Sequence, residues 1–225
     1  MTQEQNIESP ATALRTSLHA PASPSRLQAA MAAGTNPHPE FIEVLIARCA
    51  EEPDFFVRDM LTWALIRQDA AMTTERLLPE LDSETPQARS QALHTLSKLG
   101  NPDTWPAITT ALLQDDDDEV ARAAWRAAAA IVPRERVPAL AAILSTQFNR
   151  GGRDVQLSLS RAFAALGDAA SPALEHAKHS QDEGVRTHAT ATEQIMQNPE
   201  EGFDAAIEDA RRTVALLGAP SIVEE

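Results

Sequence analysis

The sequence of 225 residues is poor in several residue types, and each shortage narrows the class of protein. Its one cysteine, Cys49, excludes an internal disulfide, and no CxxC motif is present. Tyrosine is absent and glycine occurs only 8 times, while alanine is abundant, which favours helix over sheet. No apolar run approaches the ~20 residues that span a bilayer. The N-terminus lacks the basic and apolar regions of a secretory signal. We therefore expect a cytoplasmic protein of bacterial type.

Basic residues are also scarce, with 19 Lys and Arg against 33 Asp and Glu, a formal net charge of −14 and a pI near 4.8. This charge disfavours general binding to nucleic acid and to anionic membranes, since both are polyanions. Hydrophobic residues make up 43% and the mean hydropathy is −0.27, which is enough for a buried core.

What the sequence does contain is a repeat. Five segments align on anchor positions 31, 32, 35 and 30 residues apart, a spacing typical of one helix pair per repeat. The anchors are Val57, Ala88, Val120, Val155 and Val185. Pro106, Pro138 and Pro172 stand at the same place in the preceding segments, where proline favours a helix start.

From each anchor, offsets 0, +4, +7, +8 and +11 are apolar or small, which predicts one buried stripe on a helix. A strand period of two fits none of the segments. The stripe is strongest in the fourth repeat, with Leu159, Phe163 and Leu166. It is weakest in the fifth, where Glu193 takes a core offset.

The second helices share a sequence pattern. It consists of an acidic residue, then Val-Arg, and then a small or apolar residue four positions after the valine. Asp54, Val57, Arg58 and Leu61 show the pattern, and the segment from Asp182 to Ala189 repeats it. In this the chain resembles the HEAT and HEAT-like family over residues 38–201, including small actinobacterial HEAT-repeat proteins. The resemblance implies an all-α, right-handed α-α superhelix of about five helix pairs, a fold that mostly serves as a scaffold.

We expect a loosely ordered segment at 1–23 with a short helix at 11–19, followed by a single solenoid domain at 24–217 and a tail at 218–225. A helix from Ser25 to Ala33, stopped by Gly34, should cap the N-terminal end, and an amphipathic helix at 203–217 the C-terminal end. The repeats are expected at 38–71, 72–103, 104–135, 136–169 and 170–201.

Several clusters have structural interpretations. The acidic run from Asp115 to Glu119 suits a helix N-terminus and lacks the spacing of a calcium loop. His176 and His179 are three residues apart, but no carboxylate or cysteine completes a metal site. We predict no metal, no cofactor and no catalytic residue. Four arginines just after the anchors are expected to bond acids and carbonyls of the neighbouring turn: Arg58, Arg89, Arg122 and Arg186.

Offsets +3, +6 and +10 form a second stripe beside the core, and the resemblance places it on the concave side. This stripe contains no acid, although acids are abundant elsewhere. Its basic and aromatic members are the candidate binding residues: Trp63, Arg67, His94, Lys98, Arg126 and Arg161. One interpretation is that these cations pair with acids on adjacent helices, such as Asp59 or Glu43. The other is a positive, aromatic surface for an anionic segment.

The leading hypothesis is a non-catalytic scaffold that binds a protein, an acidic peptide or a small ligand. One alternative is a small-molecule-sensing domain that acts with a transcriptional regulator. Another is a HEAT-like DNA glycosylase, with Asp59, Trp63, Trp125 and Arg126 in a cleft, although the net charge opposes duplex DNA. A HEAT-like bilin lyase is a third, with no residue that marks a tetrapyrrole site.

Overall fold

In a computed structural model that describes residues 9–198 and 202–217, the chain is all-α and has the helix-pair architecture of a solenoid repeat. Short turns and 3₁₀ helices connect the α-helices, and the described residues contain no strand. The α-helices are α1 (Pro10–Leu18), α2 (Ser23–Thr35), α3 (Phe41–Glu51), α4 (Phe55–Ile66), α5 (Ala70–Leu77), α6 (Pro86–Leu99), α7 (Thr110–Leu113), α8 (Asp118–Ile131), α9 (Val137–Ser145), α10 (Arg153–Leu166), α11 (Ser171–Lys178), α12 (Glu183–Gln197) and α13 (Phe203–Leu217). The 3₁₀ helices are Leu78–Asp82, Pro102–Ala107, Arg134–Arg136 and Gly167–Ala170. In the same residues, no helix is both long and apolar enough to cross a bilayer.

The contacts divide the chain into two compact units, the first ending at Ala107 and the second beginning at Ile108. Helices α1–α6 belong to the first unit and α7–α13 to the second. The boundary lies between the 3₁₀ helix Pro102–Ala107 and α7, inside the third predicted repeat. The segments 1–8 and 218–225 of the predicted ends are outside the described residues.

The predicted core stripe is confirmed in the second helices. In α4, Val57, Leu61 and Leu65 are at most 1% exposed, and in α10 Leu159 and Phe163 are fully buried. These positions lie on one face because they are spaced by three and four residues. In α12 only part of the stripe is buried, and Glu193 remains half-exposed beside Lys178. The fifth repeat is therefore the weakest match to the pattern, as predicted.

The N-terminal segment contains a further helix pair. The short helix expected at 11–19 is α1, and it buries Leu14 and Leu18 against α2 and α3. This part of the segment is packed rather than loosely ordered. Helix α2 packs along α4, as one second helix packs on the next.

The prediction that Gly34 stops the capping helix is wrong. Helix α2 continues to Thr35, and Gly34 lies inside it, buried against α4. A Cβ added at Gly34 would lie 2.3 Å from Cζ3 of Trp63 and 2.9 Å from Cα of Ala64. Gly34 therefore permits close approach of α2 to α4, which outweighs the low helix propensity of glycine.

The C-terminal amphipathic helix is α13, and it covers α12. Ala191 of α12 packs with Ala206 and Ala210 of α13, all fully buried, and Ile195 and Ile207 border them. Ala191 occupies offset +6, which belongs to the second stripe in the other repeats. The second stripe ends before α12 because α13 occupies this face.

One arginine contact recurs at the turn between paired helices. In four repeats the arginine four residues after the N-cap donates from Nη1 to the two carbonyls just before the cap, at 2.7–3.3 Å. The arginines are Arg26, Arg58, Arg89 and Arg186. These carbonyls follow the end of the first helix and have no helical partner, so the charged donor satisfies them. The prediction for Arg58, Arg89 and Arg186 is confirmed.

The third repeat closes its turn differently. Ala121 takes the arginine position of α8, and Arg150, from the turn before α10, donates to the carbonyl of Asp115 and to the carboxylate of Asp118. The rest of the acidic run also acts in local structure: Asp117 caps α8 by accepting from Glu119 N and Val120 N, and Asp115 accepts from Asp117 N. The helix N-terminus interpretation of this run is confirmed.

Glu52 connects three helices of the first unit. Its carboxylate is fully buried and accepts from Arg26 of α2 at 2.7 and 2.8 Å, from Arg48 of α3 at 2.6 and 2.9 Å, and from Asp54 N at 2.9 Å. Burial alone would raise the pKa of Glu52, but the hydrogen bonds from Arg26, Asp54 N and Arg48 outweigh it and lower the pKa to about 2.

His188 plays a comparable role in the second unit. It is 1% exposed, accepts at Nδ1 from Asn149 N at 3.0 Å, and donates from Nε2 to the Gln156 carbonyl at 3.0 Å. These two bonds suit the neutral ring. The rings of Phe148 and Phe203 each form a T-shaped contact with the His188 ring. Burial lowers the pKa of His188 to about 4, although the bond to Gln156 acts in the opposite direction.

The Glu52→Gln variant is expected to lose about 3–5 kcal/mol of unfolding free energy at pH 7, because it leaves two arginines without their counter-charge. The pKa is lowered in the fold, so the carboxylate's contribution is complete above its unfolded pKa of about 4.3 and is lost as the pH falls toward about 2. Urea unfolding at pH 7, 5, 4 and 3 should show a wild-type advantage that shrinks over this window. The exposed Glu75→Gln change should cost under ~0.5 kcal/mol. If Glu52→Gln loses less than ~1 kcal/mol of unfolding free energy at pH 7, Glu52 does not stabilise the fold as the counter-charge of the two arginines.

The second expected pH effect concerns His188. Because the folded pKa of about 4 lies below the unfolded value of 6.5, the unfolded state takes up the proton first as the pH falls. Wild type should lose about 3 kcal/mol more than His188→Gln between pH 6.5 and 4. The measurement is urea unfolding of both proteins at each pH, with the exposed His179→Gln as control. Parallel curves for wild type and His188→Gln would disprove the assignment.

Candidate binding surfaces on the second helices

The six candidate binding residues lie on helices of both units. In the first unit Trp63 is on α4, Arg67 directly follows that helix, and His94 and Lys98 are on α6. In the second unit Arg126 is on α8 and Arg161 is on α10. Lys98 and the three arginines are exposed, whereas Trp63 and His94 are half-buried. The structure brings Trp63 together with Arg67, and Arg126 together with Arg161.

Trp63 combines packing with exposure. One edge of its indole lies against Gly34 of α2, and the guanidinium of Arg67 lies 6.0 Å from its ring centroid. This is the outer limit for a cation–π contact. A side chain held by packing loses little entropy on binding, which is the usual reason tryptophan contributes strongly to recognition.

The structure does not support the ion-pair interpretation for three cations of the second stripe. Glu43, one of the expected partners, pairs with Arg76 at 3.3 Å. Among the described residues, Arg67, Lys98 and Arg161 form no ion pair with a carboxylate within 4.0 Å. These three cations are therefore not explained by pairing.

In the second unit a third arginine joins the two candidates. Helices α8 and α10 pack side by side, and Arg122 Nε donates to Ser158 Oγ at 3.0 Å. Arg126 is one turn beyond Arg122, and Arg161 is one turn beyond Ser158. The pKa of Arg126 is lowered, first by partial burial and then by repulsion from Arg122 and Arg161, which Glu119 partly offsets. We call Arg122, Arg126 and Arg161 the arginine cluster.

The sequence prediction for Arg122 is correct only in part. It does pair with an acid, Glu119 at 2.6 Å, but that acid is on its own helix, and Arg122 donates to no turn carbonyl. Arg122 was missed as a candidate because it stands at offset +2, beside the chosen offsets. Its i, i+4 spacing from Arg126 is the signal that points to it.

A cleft of about 720 Å³ lies beside Arg161 in the second unit. Elements α10, α11, α12 and the start of α13 form it. Its apolar walls include Leu157, Leu174, Ile195, Met196 and Phe203, and its charged members include Arg153, Arg161, Asp168 and Glu193. Arg153 is bound to Asp204 at 2.6 Å and Glu193 to Lys178 at 2.8 Å, which leaves Arg161 and Asp168 for a ligand. The volume lies in the range of small-molecule sites.

Side chains with potential for chemistry are placed in structural roles. Trp125, which the glycosylase alternative puts in a cleft, is fully buried and donates from Nε1 to the Leu113 carbonyl at 2.8 Å. That assignment is wrong for Trp125. Burial raises the pKa of the Cys49 thiol to about 12. His179 Nδ1 lies 2.7 Å from the Glu175 carbonyl, and the described residues contain no group of three or more potential metal ligands.

Comparison with known proteins agrees with the helix-pair pattern. Residues 74–160 match the family model for HEAT repeats. Curated protein sequences give no match. An engineered protein of known structure is similar with a TM-score of 0.45 at 19% identity, over 90% of this chain and 98% of that chain. Human deoxyhypusine hydroxylase is similar with a TM-score of 0.45 at 14% identity, over 92% of this chain and 95% of that chain. The CpcE–CpcF complex of phycocyanin lyase from Nostoc sp. PCC7120 is similar with a TM-score of 0.40 at 15% identity, over 95% of this chain and 98% of that chain.

The family match covers the second, third and most of the fourth predicted repeat. The same helix pairs, buried offsets and turn-closing arginines occur in the repeats before and after it. The sequence match thus shows HEAT repeats at residues 74–160, and the same helix-pair structure continues on both sides of them.

Proposed function

We propose that this protein is a non-catalytic interaction scaffold that binds a negatively charged segment of a partner protein through exposed basic residues of its second helices. The observation that carries the proposal is a set of exposed cations at matching offsets in a chain with a net charge of −14. Three of them, Arg67, Lys98 and Arg161, form no ion pair in the part of the chain that the structure describes. Such cations add little to the free energy of folding, because exposed charges are well solvated. Their role in this proposal is to bind the negatively charged segment of the partner, since they contribute little to folding.

Each unit contributes its own surface. In the first unit Trp63 supplies an aromatic face next to Arg67, and Lys98 adds a charge on α6. In the second unit Arg126 and Arg161 supply charge, and exposed alanines at 130 and 165 leave space around them. Aromatic and arginine side chains are the residue types most enriched at interaction hot spots.

The cleft beside Arg161 supports a second candidate, a small-molecule-sensing domain that acts with a transcriptional regulator. Its apolar walls and the exposed guanidinium suit an organic anion with an apolar body, such as an aromatic carboxylate. A sensing role requires that binding stabilises the second unit, because α10, α12 and α13 all line the cleft.

To test the first proposal, Lys98→Glu and Arg126→Glu are combined, and partners are captured by crosslinking in lysate of the native organism. Loss of at least 10-fold of the captured partner is expected, because both cations become repulsive, while the melting temperature stays within a few degrees of wild type. Arg134→Glu with Arg136→Glu is the matched control, with the same charge change at exposed sites on another element. A folded Lys98/Arg126 double variant that retains its partner contradicts the proposal. Unfolding of that variant alone would assign these cations to stability.

For the second candidate, a panel of aromatic and aliphatic carboxylates is screened by thermal shift. A binding compound should raise the melting temperature in wild type and lose its effect in Arg161→Gln and in Met196→Trp, which fills the cleft. Arg134→Gln is the control. If no compound acts, or if the effect survives both variants, the cleft is not a carboxylate site.

A further inference from the structure

The arginine cluster has a geometry that goes beyond general attraction for acids. Arg122 and Arg126 stand four residues apart on α8, so their side chains leave the same face of the helix. Helix α10 lies alongside, and the Arg122–Ser158 bond fixes which turns of the two helices face each other. Arg161 is therefore level with Arg126, one turn beyond that bond.

One of the three guanidinium groups is already held in position, and a second is partly buried. Arg122 is anchored between Glu119 at 2.6 Å and Ser158 at 3.0 Å, and about a quarter of its side chain is exposed. Arg126 has lost part of its hydration and experiences repulsion from Arg122 and Arg161. Glu119 offsets part of this repulsion, but its side chain is 70% exposed and already paired with Arg122.

The surroundings leave room for a compact anion. The neighbouring stripe positions on α8 and α10 carry small side chains: Ser158 is bonded to Arg122, and Ala130 and Ala165 are exposed. No large side chain from these positions covers the guanidinium groups. A ligand can approach the three cations from the side of solvent.

The chemistry of guanidinium favours a phosphate monoester over a carboxylate here. A carboxylate offers one charge and two oxygens in one plane, which suits a single arginine. A phosphate monoester offers ≈ −1.5 to −2 charge at pH 7 and three acceptor oxygens arranged in space, which suits several arginines from different directions. A duplex of phosphodiesters is disfavoured because the net charge of −14 repels an extended polyanion.

We propose that the cluster of Arg122, Arg126 and Arg161 is a binding site for a phosphorylated side chain of the partner's anionic segment, a role that rests on the proposed function. Arg126 and Arg161 contact the phosphate oxygens, and Arg122 supplies a fixed charge behind them. Relief of the repulsion among the three arginines on binding of a dianion adds to the affinity.

The experiment uses the full chain and three short peptides of one sequence, containing serine, glutamate or phosphoserine at the central position. Isothermal titration at constant ionic strength measures affinity, and the ¹⁵Nε signals of the arginines report the contacts. The phosphoserine peptide should bind at least 10-fold more tightly than the glutamate peptide and shift the signals of Arg126 and Arg161. Inorganic phosphate should compete weakly. The preference should disappear in Arg126→Gln with Arg161→Gln and persist in Arg134→Gln with Arg136→Gln.

The outcomes separate this inference from the proposed function. Equal affinity for the glutamate and phosphoserine peptides overturns the phosphate site and leaves the anionic-partner proposal standing. Inorganic phosphate as tight as the phosphopeptide also overturns it, because the site then recognises a free phosphate. If no peptide binds and the Lys98/Arg126 charge-reversal variant retains its partner, both proposals fail.

Discussion

The turn between the two helices of each pair is the constraint on which the rest of the structure depends. The first helix ends in carbonyls that have no helical partner, and the second helix must begin at once in a new direction. In four repeats a guanidinium four residues into the second helix bonds both carbonyls of the turn. This bond fixes where the second helix starts relative to the first, and the core stripe then faces inward in the same register each time.

The same chemistry determines which cations serve the fold itself. Of the arginines in the chain, those nearest the turns are bound to carbonyls, and others, such as Arg48, Arg150 and Arg153, hold acids. Arg67 follows the C-terminal end of α4 and Arg161 lies within α10, so neither is at the turn that begins its second helix, and neither forms an ion pair in the described part of the chain. Local structure thus separates structural from available cations, although both belong to one residue type.

The sequence was sufficient for the helix pairs because periodicity reports burial directly, as Leu61 and Phe163 show. It was insufficient where contacts between distant residues decide. Gly34 has the usual signature of a helix end, but the close approach of Trp63, 29 residues later in the chain, keeps it inside α2. Arg122 stands where an arginine that bonds the turn is expected, and only the packing of α8 on α10 brings it beside Ser158. Trp125 stands outside the predicted core stripe, five residues after the anchor Val120, yet its indole N–H reaches the Leu113 carbonyl in the core.

The replacement of the turn-closing arginine in the third repeat affects the order in which the chain can fold during synthesis. In the other cases the guanidinium is made a few residues after the carbonyls that it binds, so the turn can close as soon as it leaves the ribosome. In the third repeat the carbonyl of Asp115 is bound by Arg150, which is made 35 residues later. A nascent chain that ends before Arg150 therefore lacks this bond ahead of α8, and the third repeat completes its contacts together with the fourth.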